Sequence, residues 1–282
     1  MSQGKPTRVH VIVGGFPPGS AAGHDMDYAR IRLLELLQSI PQATATTVAN
    51  DFTDVAKWLP GSRFLITYVA GPFPNEEQNE FIRGWLEAGG RWLALHGTSG
   101  GKAVSVTEPH RGRKMVKGAH HATLGGFFLN HPPVRKFRVD LADRTHAITA
   151  DLPPSFEVMD ELYLIELQGA CNILLTTYLE QDPSPDGFGF VYDKDTALQP
   201  DGKTRVLGYT RRVGEGEVAY IALGHCHSLA NNVQPFVDAS VDPAGATPKI
   251  FRGSWETAPF EHLLNNAIRW GCDGAGNGYK AG

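Results

Sequence analysis

The 282-residue sequence has little of what usually places a chain quickly. It holds three cysteines, Cys171, Cys226 and Cys272, an odd number, far apart and without a CxxC pair. That argues against a disulfide framework and against a zinc site built on thiolates, so reduced thiols are expected. Excess charge is lacking too: 26 Lys plus Arg stand against 30 Asp plus Glu, a net charge of -4. This offers no electrostatic case for nucleic acid or an anionic membrane as partner. No apolar run approaches the roughly 20 residues of a membrane helix, and MSQGKPTR leads into a strand without a segment of signal-peptide length. The chain as given reads as cytoplasmic. The glycine-rich GGFPPGSAAG (14–23) contains neither GxGxxG nor GxxxxGK[ST], which argues against a phosphate loop, and no GxSxG elbow occurs. A small neutral or polar ligand is the partner class left.

What is present is an ordinary globular composition, 41% hydrophobic and 20% charged, enough to bury a sizeable core. One domain over 1–282 is expected. RVHVIV (8–13), TATTVA (44–49), RFLITYV (63–69) and RWLALH (91–96) read as strands. DMDYARIRLLELLQ (25–38) reads as a helix capped by Asp25, with Tyr28, Ile31, Leu34 and Leu37 on its buried stripe. NEEQNEFIRGWLEAGG (75–90) is a second helix that stops at its glycines. Strands interleaved with helices imply a parallel sheet covered on both faces. From 134 onward, VRKFRVD, DELYLIEL (160–167), CNILLTTY, TRVLGYTRR and EVAYIALG follow one another through turns, the pattern of an antiparallel extension. PFEHLLNNAIRWG (259–271) closes the chain as a helix, and 180–203 and 229–256 read as long loops of the kind that serve as lids or binding loops.

Strand ends carry the chemistry. In an open α/β sheet the ligand crevice lies beyond the carboxyl ends of the strands. Here strand 8–13 leads to His24, strand 91–95 to His96, and strand 217–223 to Gly224-His225, delivering three imidazoles to one rim. Asp160 and Glu161 sit unusually at the start of an apolar run, where carboxylates need a partner or a task. His131 is held out of helical geometry by Pro132. His120 and His121, being adjacent, cannot easily serve one centre and are expected at the surface. His225 and His227 form an HxH pair that leaves room for a divalent metal, with no third ligand assigned. Phe188, Phe190, Tyr192 and Trp255 are candidates for stacking on sugar faces.

WLALHGTSGG, GGFFLNHPPVRKFRVDLADRTHAITADLP, DELY, GYTRRVGEGEVAYIALGH and FEHLLNNAIRWG, in that order, resemble the trehalose-utilisation (ThuA-like) family over most of the chain. The resemblance implies a flavodoxin-like, class I glutamine-amidotransferase-like three-layer sandwich, mostly parallel with an antiparallel extension. It implies sugar catabolism alongside oxidoreductases that make keto-sugars. Carried over by motif, it marks His24, His96, His131, Glu161 and His225 as catalytic. Asp160 and Tyr163 join Gly15 and Gly97, which follow strand ends, as substrate-binding. His146 matches a family histidine, with Ala147 in place of the family proline. Amidotransferases present a nucleophilic cysteine where this chain has His96, so glutamine hydrolysis is not expected.

Three functions follow as expectations. The first is an enzyme moving a proton next to the carbonyl of a keto-sugar or keto-glycoside, with Glu161 or His131 as base and His96 and His225 as donors. The second is a non-catalytic sugar-binding or regulatory protein. The third is a metal-dependent hydrolase using His225, His227 and a carboxylate. The cofactor stays undefined, with a divalent metal compatible, and a homo-oligomer is equally compatible with the sequence.

Overall fold

The structure, a computed structural model, describes residues 6–14, 23–41, 44–108 and 111–273. Its elements run β1 (Thr7–Gly14), α1 (Met26–Ser39), β2 (Thr44–Ala49), α2 (Val55–Trp58), β3 (Phe64–Val69), α3 (Glu76–Glu87) and β4 (Arg91–Leu95). A 3-10 turn at His96–Ser99 follows, then β5 (Lys102–Val106), β6 (Gly112–Val116), α4 (His120–Leu124), β7 (Gly126–Asn130) and β8 (Arg135–Leu141). The remainder is β9 (Ser155–Asp160), β10 (Leu164–Leu167), β11 (Asn172–Tyr178), β12 (Thr204–Val213), β13 (Gly216–Ile221) and α5 (Ala258–Cys272).

Nine strands form one sheet in the order β2-β1-β3-β4-β13-β12-β11-β8-β9. From β2 to β13 neighbours are parallel, and from β13 to β9 they are antiparallel. The antiparallel part is therefore as wide as the parallel part. Every residue of β3 is buried, as are the last four of β4, which requires cover on both faces. One group of helices, α1 and α5, packs together against β1, β3 and β4. A second, α2 to α4, forms around α3, which lies on β12 and β13.

Local chemistry sets the ends of these helices. Asp25 caps α1 by accepting from the N–H of Tyr28, and Asn75 and Gln78 form a reciprocal capping box on α3. Each such cap is worth about 1 kcal/mol. After α3 the chain reverses at Gly89, whose φ of 104° suits a residue without Cβ. The buried stripe of α1 differs from the expected one. Ala29, Leu33, Leu36 and Leu37 face the core, while Ile31 is 56% exposed. The helix is rotated from the expected stripe: Leu37 is fully buried as expected, whereas Tyr28 and Leu34 pack only partly buried at the margin of the core.

Other differences bear on function. DELYLIEL is two pieces: β9 ends at Asp160, and β10 begins at Leu164 and pairs with β7 in a separate two-stranded sheet. The break between them, Glu161 to Tyr163, turns Glu161 and Tyr163 into a cavity. Between the 3-10 turn and α4 lies a hairpin, β5 and β6. His120 and His121 are buried, not at the surface. His120 stacks on Phe73 and His121 meets the edge of Phe127, so adjacent imidazoles find separate apolar neighbours. Burial, followed by the neighbouring His121, pushes His120 down to about 3, which keeps it neutral. His146 accepts from the N–H of Ile148 and caps a 3-10 turn, a structural task. No helix among the described residues is long and apolar enough to cross a membrane.

Candidate active site

At the carboxyl edge of the sheet lies a cavity of about 880 Å³. Its walls come from the loop after β3, from the β5–β6 hairpin, and from the two long loops through Phe190 and Gln234. His24, Gly97, His131, Glu161 and Tyr163 line it. Gly15 lies outside the described residues.

Glu161 is the centre of the site. Its side chain is only 3% exposed, and four imidazoles surround it. His96 Nε2 lies 3.2 Å and His24 Nε2 3.8 Å from Oε2; His225 Nδ1 lies 3.2 Å and His131 Nε2 3.5 Å from Oε1. Gln234 also donates its amide N–H to Oε1. Burial alone would push this carboxyl up. The neighbouring imidazoles, His131 and His225 first, outweigh burial and hold it well below the usual carboxylate range, which favours its ionised form.

Each partner is placed by the backbone beneath it. His96 follows β4 with a φ of 45°, a left-handed conformation that costs a residue with a Cβ about 1–3 kcal/mol and gathers at functional sites. The next residue must be glycine, because a Cβ at Gly97 would meet Val69 O at 2.6 Å. His225 follows Gly224, whose φ of 122° lets the chain leave β13 sharply. Tyr68 and Trp255 both donate to the Gly224 carbonyl, at 2.8 and 2.7 Å. Trp255 is therefore a buried support for the turn and not a sugar-stacking surface.

Asp160 points away from the cavity. It accepts from the backbone N–H groups of Gly224 and His225, each at 2.9 Å, from the N–H of Glu161 at 2.8 Å, and from the Ser254 hydroxyl. Fully buried, it ties the end of β9 to the end of β13, so the substrate-binding role expected for it becomes one of holding His225 in place. Burial raises its carboxyl, against the opposing pull of His96 and of these donors.

Hydrogen bonds also fix which ring nitrogens face inward. His96 Nδ1 lies 2.7 Å from the Ala222 carbonyl and must donate to it, leaving Nε2 as a lone pair toward Glu161. His227 Nε2 lies 2.8 Å from the Pro248 carbonyl and donates there, so His227 Nδ1 accepts from His225 Nε2 at 2.9 Å. His225 therefore also turns a lone pair, on Nδ1, toward Glu161. In this neutral form neither His96 nor His225 turns a proton toward Glu161, and a donor role for either ring requires its protonated form. His131 Nδ1 donates to the Pro132 carbonyl at 2.8 Å, again leaving Nε2 free to accept.

His24, His96, Glu161 and His225 each bring one donor atom, and the four atoms lie within 4.8 Å of one another, a set able to hold a metal ion. His227 is not among them; it supports His225 from behind. Cys226 is buried, its thiol pushed up to about 12 by burial, and it lies 3.6 Å from the Tyr68 hydroxyl. Such a thiol is no nucleophile at neutral pH, and all three cysteines are unpaired.

The ThuA family, described as trehalose utilisation, matches residues 20–237. The chain belongs to the ThuA family. A ThuA-like protein from Bacteroides uniformis superposes with a TM-score of 0.60 at 15% identity, covering 94% of this chain and 91% of that one. A ThuA-like protein from Parabacteroides merdae gives 0.57 at 16% identity, covering 95% and 90%. A β-galactosidase from Rahnella sp. R3 shares the fold over 77% of this chain and 28% of its own, with a TM-score of 0.50 at 15% identity. No curated protein matches the sequence significantly. The ThuA-like neighbours thus share the fold over nearly the whole chain.

Proposed function

We propose that this ThuA-family protein is a carbohydrate-processing enzyme that moves a proton next to the carbonyl of a keto-sugar or keto-glycoside. The observation that carries the reading is a buried carboxylate, Glu161, ringed by four imidazoles at the floor of a cavity with aromatic walls. Of the two candidate bases, His131 is the better placed. Its Nε2 lone pair faces the cavity and its other nitrogen is fixed by Pro132, whereas Glu161 Oε1 already accepts from Gln234.

Tyr163 supplies the complementary acid. Burial first, and the Glu161 charge second, push its phenol well above the usual range, so its O–H is retained at the cavity wall. Its ring stacks on His96 at 4.1 Å and on His131 at 5.7 Å between centroids, which sets base and acid side by side. In the step proposed, the C–H bond next to the carbonyl breaks as its proton goes to His131 Nε2, and the carbonyl oxygen takes the Tyr163 proton to give an enediol. Return of the His131 proton to the former carbonyl carbon, as the adjacent enediol hydroxyl gives its proton to Tyr163, completes an isomerisation; departure of a β-oxygen substituent as an alcohol that takes the His131 proton, as the enol O–H returns its proton to Tyr163, completes an elimination.

Turnover of an oxidised disaccharide against its unoxidised parent tests this. The keto-sugar is consumed and the parent is not, and His131→Ala lowers the rate about 100-fold or more, the usual scale for a positioned base, with an unchanged melt. Equal binding of both sugars without turnover would instead make the protein a sugar-binding or regulatory one.

A further inference from the structure

The cluster around Glu161 poses an electrostatic question that sugar chemistry does not answer. At its middle are the lone pairs of His96 Nε2 and His225 Nδ1 and the oxygen Oε2 of a carboxylate, all buried. Their protons are committed elsewhere: that of His96 to the Ala222 carbonyl, that of His225 through His227 to the Pro248 carbonyl. Both nitrogens lie 3.2 Å from the carboxylate yet form no hydrogen bond with it. Buried electron-pair donors that converge without a proton between them repel one another, and a buried carboxyl group among imidazoles needs a partner. A bound cation satisfies both requirements at once.

We propose that His24, His96, Glu161 and His225 bind one divalent transition-metal ion at the floor of the cavity. Four donor atoms within 4.8 Å of one another match the about 3.4 Å between ligands of a tetrahedral ion with bonds of about 2.1 Å, after a modest closing of the side chains. A majority of imidazoles favours a first-row transition ion over magnesium or calcium, which take oxygen ligands. The outer contacts fit as well, because ligating histidines donate their second N–H to a carbonyl or another acceptor, and His96 and His225 both do so. His24 and Glu161 line the cavity, so the ion has an open side toward whatever occupies it and supplies a Lewis acid there. The site stands whether or not the ligand is a sugar.

The test needs no substrate. Protein stripped with a chelator is titrated with Zn²⁺ and with Co²⁺ by calorimetry, and ligation of Co²⁺ is read from its visible absorption. One equivalent per chain is expected for each ion, with a visible Co²⁺ band and a higher melting temperature. Glu161→Gln and His225→Gln should weaken binding at least 100-fold. His227→Phe, which touches no ion, should weaken it about 10- to 100-fold by freeing the His225 ring. His131→Ala and His120→Ala should keep one equivalent, and circular dichroism verifies that each variant is folded. Absence of saturable binding by the stripped wild type would overturn the proposal and leave protonated imidazoles as the source of charge. Stoichiometric binding unaffected by Glu161→Gln, or lost in His120→Ala, would overturn the assignment of the ligands.

Discussion

Asp160 and Glu161 are neighbours in sequence with opposite tasks. Asp160 faces the backbone and holds the end of β13; Glu161 faces the cavity among imidazoles. Asp160→Ala would leave the N–H groups of Gly224 and His225 and the Ser254 hydroxyl without their acceptor. At about 1–3 kcal/mol for each buried orphan, a loss of about 3 kcal/mol or more is expected in a denaturant titration; a loss under 1 kcal/mol would show that the clamp is unimportant. His24, His96 and His225 were legible from sequence because strand ends in an α/β sheet converge on one edge. Gln234 was not, since it sits in a long loop with no periodicity to place it. His120 and His121 were expected at the surface because adjacent imidazoles cannot easily serve one centre, whereas a five-residue helix, α4, buries both against different aromatic rings.

At the scale of elements, the turn from β4 into its 3-10 helix is the most constrained part of the site. His96 is held at positive φ, and Gly97 lets that turn pass against the Val69 carbonyl. Gly97→Ala should cost about 1–3 kcal/mol through overpacking and lower keto-sugar turnover further than the melt alone explains, because His96 must shift. An alanine variant of unchanged stability and rate would contradict the close approach. Strands β1, β3, β4 and β13 were readable as short apolar runs. The break inside DELYLIEL was not, because Leu162 continues the apolar pattern and only pairing with β7 decides where β10 starts. The stripe of α1 was off for a related reason: Ile31 and Leu33 are equally apolar, and packing against the sheet chooses between them.

The whole molecule explains why the site lies where it does. Four parallel pairings place the ends of β1, β4 and β13 on one edge. The antiparallel strands then return, so that β9, outermost in the sheet, delivers Asp160 and Glu161 to the end of β13. The two long loops and the β5–β6 hairpin close the cavity above them. One apolar core runs through both halves of the sheet among the described residues, which gives the site a rigid base. Membership of the ThuA family accounts for this frame, and the chemistry rests on the cluster. A crystal structure with a keto-disaccharide bound tests that most directly. The account predicts the sugar in the cavity, its carbonyl oxygen within hydrogen-bond reach of the Tyr163 hydroxyl and the adjacent carbon facing His131 Nε2. A sugar seated elsewhere, or one whose carbonyl points away from Tyr163 and His131, would contradict it.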